Sequence, residues 1–96
     1  MRANQKLLST FDLNLVRVFL TVYQARSVSR AAVLLNVGQP AVSASLVRLR
    51  KRFDDPLFVR MGRIMVATDR AEKLAAYFMP ALLQIELAMN FCPRPS

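Results

Sequence analysis

Apolar residues recur along this chain at intervals of three or four positions, a spacing that predicts helices. In the first such segment the intervals are 3, 3, 1 and 3, and Asp12 just before it is a suitable N-cap for a helix over 13–25. The second segment is short and follows Ser27, another suitable N-cap. Its two alanines, Ala31 and Ala32, allow a further helix to cross closely, as a tight helix-turn-helix requires.

Gly38 and Pro40 mark the start of a third helix. Pro40 lies in the first helical turn, where its missing N–H costs no hydrogen bond, and Gly38 is a tolerated N-cap. The apolar stripe of this helix repeats at intervals of 4, 3 and 4, and the run Asp54-Asp55-Pro56 ends it. The apolar members of the stripe are Val42, Leu46, Leu49 and Phe53.

Two short apolar runs come after the third helix, over residues 57–60 and 64–67. They are rich in β-branched side chains, which favour strands. The three residues between them, 61–63, include a glycine, so the pattern predicts a β-hairpin. The element order is therefore helix, helix, turn, helix and hairpin, which is the order of a winged helix-turn-helix.

A final long helix is predicted over 69–91, with Thr68 as its N-cap. Pro80 lies inside this segment and removes one backbone hydrogen bond. We therefore expect one helix kinked at the proline; the alternative is two helices, over 69–78 and 80–91. The predicted architecture is mainly α: a flexible arm over 1–11, a winged helix-turn-helix domain over 12–68, a linker helix over 69–92 and a tail over 93–96.

Charge and composition narrow the classes of function. Lys and Arg number 14 against 6 Asp and Glu, and the resulting net charge of +8 is typical of chains that meet DNA, RNA or anionic lipid. Apolar residues make up 54% of the chain, so it is not a disordered basic tail. With no His and one Cys, zinc sites and Ser-His or Cys-His catalysis lack their parts. We predict no metal, no cofactor and no enzymatic activity.

The sequence also bears on the compartment. The longest apolar run, 74–83, has ten residues and contains a proline, whereas a transmembrane helix needs about 20 residues. No apolar segment of signal-peptide type follows the N-terminal residues. Cys92 has no partner for an internal disulfide, which fits a reducing compartment. We expect a cytoplasmic protein without a membrane partner.

A more specific pattern lies in the second helix, the third helix and the hairpin. With it, about residues 12 to 91 resemble the DNA-binding domain of the LysR-type transcriptional regulators. This resemblance implies a bacterial, nucleoid-associated regulator that binds specific, pseudo-palindromic double-stranded DNA as a dimer. The residues that carry it are Ala31, Ala32, Leu35, the run Gly38-Gln39-Pro40-Ala41-Val42-Ser43, Leu49, Phe53, the run Asp55-Pro56-Leu57-Phe58-Val59-Arg60, Gly62, Arg63 and Thr68.

The resemblance also implies which residues contact DNA. Gln39, Pro40 and Ser43, at the start of the third helix, are the expected base readers in the major groove, where a Gln amide can pair with adenine. Arg63 at the tip of the hairpin, the wing of the fold, suits the minor groove. Four further cations are expected to contribute to DNA binding. Arg48 and Arg52 lie along the third helix, and Arg30 and Arg60 are candidates for contacts with phosphates.

Three positions depart from the family's pattern. Gly38 replaces the usual Ser or Thr N-cap of the third helix, at a cost of a few tenths of a kcal/mol. Ala44 stands where many members have Arg or another polar residue, so one DNA contact is expected to be missing. Asp54 replaces the usual Gly after the third helix, and Asp tolerates a left-handed conformation less well than Gly.

The last helix predicts a partner, because it is apolar on more than one face and a domain this small covers only one of them. In the family this is the linker helix, which pairs antiparallel with its twin. The expected dimer-interface residues are Leu74, Phe78, Leu82, Ile85 and Met89.

Two further expectations concern what the chain contains and what else it could be. Family members continue into an effector-binding domain, and we expect none in this chain. The alternative function is a basic module whose amphipathic helix docks on a protein or on anionic lipid. The cations favour DNA, because they cluster on the third helix and hairpin, whereas charges on the last helix are nearly balanced.

Overall fold

A computed structural model of the chain describes residues 12–92. The predicted arm over 1–11 and tail over 93–96 lie outside the described residues. Three helices are followed by a two-stranded antiparallel hairpin and one long helix, which confirms the mainly α winged helix-turn-helix architecture. The elements are α1 (Leu13–Ala25), α2 (Val28–Leu35), α3 (Gln39–Phe53), β1 (Phe58–Met61), β2 (Ile64–Ala67) and α4 (Asp69–Phe91).

Three of the four helices begin at a side-chain N-cap. The carboxylate of Asp12 accepts a hydrogen bond from the amide of Asn14 at 2.8 Å, and the hydroxyl of Ser27 accepts from the amide of Arg30 at 3.1 Å. Gly38 gives α3 no such bond, and Pro40 lies in its first turn. Each cap satisfies an amide that has no partner inside its helix and thereby stabilises the start of that helix.

The first three helices end at residues in the left-handed conformation. Arg26, Asn36 and Asp54 have φ angles of 56°, 58° and 49°. Asn and Asp reach this region at lower cost than other residues with a Cβ, so Arg26 is the strained member of the three. Its carbonyl accepts the amide of Met65 at 3.0 Å, which fastens the hairpin to the turn between α1 and α2.

The hairpin differs from the prediction by one residue. Met61 pairs with Ile64, so the loop has two residues rather than three. Gly62 comes first in this loop with φ of 64°, as a type II′ turn requires. Strand β1 begins at Phe58 and not at Leu57, because Leu57 is left-handed with φ of 65° and cannot continue a strand.

The core joins α1, the hairpin and the first half of α4. Phe19 is fully buried, and its ring centroid lies 5.3 Å from that of Phe58 in β1 and 5.6 Å from that of Phe78 in α4. Ala71 and Ala75 are buried beside them. Because α4 is one continuous helix through Pro80, the alternative of two separate helices is wrong.

Phe78 and its neighbour Tyr77 provide a test of this packing. We expect Phe78→Ala to lower the free energy of unfolding by about 2 to 3 kcal/mol, less than the loss for a fully buried Phe because Phe78 is half-buried. Tyr77→Ala is the matched control, since Tyr77 is 77% exposed, and its change is expected within about 0.5 kcal/mol. Urea denaturation followed by circular dichroism measures both; equal losses would show that α4 does not pack as described.

Candidate nucleic-acid interface

The first turns of α3 present the predicted base readers to solvent. Gln39, Pro40 and Ser43 are all exposed. On the opposite side of the helix a buried stripe fixes α3 against the core, and its members are Val42, Leu46 and Leu49. The exposed residues are therefore held in place by side chains only one to three positions away along the chain.

The predicted cations are exposed on three different elements. Arg30 lies on α2, Arg48 and Arg52 lie on α3, and Arg60 lies on β1. Arg63 occupies the second loop position of the hairpin, at its tip, and is also exposed. The structure places all of these side chains on the surface, and their contacts with DNA stay predictions.

Arg50 differs from the other α3 cations. It is half-buried, and its Nε donates to the carbonyl of Pro56 at 3.1 Å. The side chain thus holds the turn between α3 and β1. This structural contact of Arg50 is one that its charge alone does not reveal.

Arg17 is a candidate that the sequence analysis did not single out. It is exposed on α1 and lines a crevice of about 70 Å³ between α1 and α3, together with Ala41 and Ser45 of α3. Its position therefore adds a positive charge to the flank of α3. Little in the sequence indicates this role, because Arg17 lies inside the apolar pattern of α1 with no other cation near it along the chain.

Asp55, which the sequence places in the run that ends the third helix, organises the turn after α3. Its Oδ2 accepts from the hydroxyl of Thr68 at 2.7 Å and from the amide of Leu57 at 2.8 Å. These two donors hold the pKa of the Asp55 carboxyl below its usual value of 3.8. The group is therefore ionised throughout the neutral pH range.

The predicted dimer-interface residues fall into two groups. Leu74, Phe78 and Leu82 are partly buried and pack against the core of their own chain. Ile85 and Met89, further along α4, are 43% and 73% exposed. The first half of α4 therefore lies over its own domain, and the role of these residues in a dimer stays a prediction.

A second apolar stripe on α4 remains exposed. Met79, Leu83 and Leu87 follow one another at helical spacing and are 38%, 54% and 37% exposed. Beside them a groove of about 540 Å³ opens between α1 and α4, with Tyr23 on its α1 side and Pro80 on its α4 side. The Glu72 carboxylate accepts a hydrogen bond from the Tyr23 hydroxyl and thereby raises the pKa of Tyr23 above 10.0.

Helix α4 is long and apolar enough to cross a membrane by length and composition alone, with a mean hydropathy of 1.3 over 18 residues. The opposite expectation from the sequence rested on the longest uninterrupted apolar run, 74–83, which ends before Gln84. Only 6% of this stretch is buried within the chain. The helix therefore has more apolar surface than its own domain covers.

Within residues 12–92 there is no group of His, Cys, Asp and Glu that could hold a metal ion.

Comparison with known proteins decides the family. Residues 13–72 match the family of bacterial regulatory helix-turn-helix proteins of lysR type. The chain belongs to the LysR family. It is accordingly a DNA-binding domain of transcription regulation and not an enzyme, as the sequence analysis predicted.

Its relatives include nodulation proteins of bacteria. Nodulation protein D 2 of Bradyrhizobium sp. (strain NC92) is 46% identical over 78 residues, which are 81% of this chain and 23% of that protein. Nodulation protein D 1 of Rhizobium leguminosarum bv. phaseoli is 42% identical over 89 residues, which are 88% of this chain and 28% of that protein. This LysR-family chain therefore spans about a quarter of the length of these relatives.

Solved structures show the same fold. A probable transcriptional regulator from Pseudomonas aeruginosa superposes with a TM-score of 0.86 at 40% identity, over 95% of this chain and 30% of that one. The DNA-binding domain of BenM in complex with catB site 1 DNA superposes with a TM-score of 0.79 at 22% identity, over 85% of this chain and 92% of that one. The second likeness is one of fold.

Arg17 gives a test of the basic surface in a DNA-binding titration. If it contacts a phosphate, Arg17→Gln will reduce the slope of log affinity against log salt by about 0.9. Lys73→Gln removes the same charge from an exposed position on α4 and is expected to leave the slope unchanged. Fluorescence anisotropy at several salt concentrations measures the slopes; an equal reduction in both variants would show that only net charge matters.

Proposed function

We propose that this LysR-family domain binds specific double-stranded DNA in the bacterial cytoplasm as a homodimer, with α3 in the major groove and the β1–β2 wing in the minor groove. The observation that carries the proposal is the exposure of Gln39, Pro40 and Ser43 on one helix whose other side is fully buried. The proposal follows the family and the fold that this chain shares with DNA-bound domains.

The dimensions of α3 suit the major groove. Its 15 residues extend about 22 Å, and an α-helix fits a groove about 12 Å wide. The amide of Gln39 can make two hydrogen bonds to one adenine, and the ring of Pro40 can contact a thymine methyl group. Arg48 and Arg52 lie further along the same helix, where they supply positive charge beside the phosphates.

The wing suits the minor groove. Its two-residue loop places Arg63 next to Gly62 at the tip of the hairpin. Because Gly62 has no side chain, the tip stays narrow. A cation there is attracted by the negative potential of a narrow, A·T-rich minor groove. Arg60 on β1 lies closer to the body of the domain, where a phosphate contact fits better than a base contact.

Dimerisation is proposed through the exposed stripe of α4. Met79, Leu83 and Leu87 form an apolar face that nothing in the described chain covers, and Ile85 and Met89 extend the apolar surface toward the end of the helix. An antiparallel pair of α4 helices would bury these residues and place two α3 helices on one side of the DNA. The membrane alternative is disfavoured because the charges of α4 include Asp69, Glu72 and Glu86 and give no basic face.

Base reading by α3 is tested by selecting binding sites from a random DNA pool. We expect Gln39→Ala to weaken binding to the wild-type consensus by about 1 to 3 kcal/mol and to relax the preference at one base pair of each half-site. Gln24→Ala, an exposed Gln on α1, is the matched control and should leave the consensus unchanged. An unaltered consensus with Gln39→Ala would remove α3 from the role of base reader.

The dimer is tested by two neighbouring substitutions that introduce the same charge. Leu83→Asp places a carboxylate in the exposed apolar stripe, so it should yield monomers and weaken binding to a two-half-site DNA far more than to a single half-site. Gln84→Asp puts the same group on another side of α4 and should leave the dimer intact. Sedimentation velocity measures both; a dimeric Leu83→Asp variant, or a monomeric parent chain at high micromolar concentration, would contradict the proposed interface.

A further inference from the structure

One carboxylate oxygen connects three parts of the fold: the end of α3, the residue that leads into the hairpin and the start of α4. Asp55 lies just after α3, and its Oδ2 accepts from the amide of Leu57, which leads into β1, at 2.8 Å. The same atom accepts from the hydroxyl of Thr68, the N-cap of α4, at 2.7 Å. The residue that precedes the hairpin and the N-cap of α4 are thus both bonded to Asp55.

The turn that carries Asp55 is tied to α3 on its other side. The Asp55 amide donates to the carbonyl of Arg50 at 3.3 Å, and the Arg50 side chain donates to the carbonyl of Pro56 at 3.1 Å. Thr68 is also bonded to this turn through its backbone, because its amide donates to the carbonyl of Leu57 at 2.9 Å. The last turn of α3, the residue before β1 and the start of α4 are therefore joined by one set of hydrogen bonds.

The backbone at this turn needs such support. Leu57 is 1% exposed and has φ of 65°, a conformation that is unfavourable for a bulky residue with a Cβ. Strained backbone of this kind persists where surrounding contacts fix it. The Asp55–Leu57 bond holds the amide of the strained residue itself, and through it the point at which the wing leaves α3.

We infer that Asp55 is a positioning residue for DNA binding, which sets the wing against α3 so that Arg63 and Gln39 meet the same half-site. The inference rests on the proposed function. It assigns to Asp55 no contact with DNA. Its effect passes through the hydrogen bonds to Leu57 and Thr68, so it depends on the acceptor oxygen and not on the negative charge.

A double-mutant cycle measures this effect. Arg63→Ala and Gln39→Ala are each combined with Asp55→Ala, and affinity for a selected site is measured by fluorescence anisotropy at neutral pH. We expect Arg63→Ala to weaken binding at least fivefold in the parent chain but less than twofold in the Asp55→Ala background, because the wing is no longer held in register. The effect of Gln39→Ala should be the same in both backgrounds.

Conservative variants separate positioning from stability. Asp55→Asn keeps an oxygen that can accept both bonds, so it should preserve the full effect of Arg63→Ala on affinity. Asp54→Asn is the control: it alters the neighbouring carboxylate, which lies outside these bonds, and should leave that effect unchanged. Thermal melts confirm that each variant is folded at the assay temperature. If Asp55→Ala does not fold, Thr68→Val replaces it, with Thr68→Ser as the variant that retains the hydroxyl.

The outcomes are distinct. An Arg63→Ala effect that is equal in both backgrounds, or absent from the parent chain, overturns the inference, as does an equal reduction of the Arg63→Ala and Gln39→Ala effects. Failure of the parent chain to distinguish its selected site from a scrambled one overturns the proposed function instead.

Discussion

The ring of Phe19 is the contact on which the arrangement of the elements depends. It is fully buried, stacks on Tyr23 within α1, and meets Phe58 of the hairpin and Phe78 of α4. Burial of a large apolar side chain is worth about 1.5 to 3 kcal/mol, and aromatic pairs add about 0.5 to 1.5 kcal/mol. A single side chain thus stabilises the packing of three elements that are far apart in the sequence.

This core leaves the remaining surfaces to function. Because Val42 and Leu49 are buried on one side of α3, the polar and basic residues on its other side are exposed to solvent. The hairpin is fastened twice, by the Met65 amide on the carbonyl of Arg26 and by the Asp55 bonds at its base, so its exposed tip has a defined position. Both α3 and the tip of the hairpin therefore contribute exposed cations.

Local sequence signals predicted much of the fold because the caps and breakers act over a few residues. Asp12, Ser27 and Thr68 begin helices as expected, and Asp54 takes the left-handed conformation after α3. The start of β1 was off by one residue because left-handed strain at Leu57 depends on contacts with the turn and with α4, which no local pattern contains.

Long-range packing also explains what the sequence missed at the candidate site. The apolar stripe of α4 gave no indication that Phe78 meets Phe19 and that Leu83 stays exposed, since both belong to one amphipathic helix. Arg17 and Asp55 acquire their positions only when α1, α3 and α4 come together. The base readers were assigned by resemblance to the family, and all three are exposed.

The central claim is that α3 and the wing are presented together, as one rigid surface, to each half-site of a DNA duplex. Hydroxyl-radical footprinting tests it most directly, because the radical attacks sugars in the minor groove. The account predicts two protected minor-groove segments, symmetric about the centre of the selected site, and loss of protection in both when Arg63 is replaced by alanine. Protection that is uniform along the fragment, or unchanged by that substitution, would contradict it.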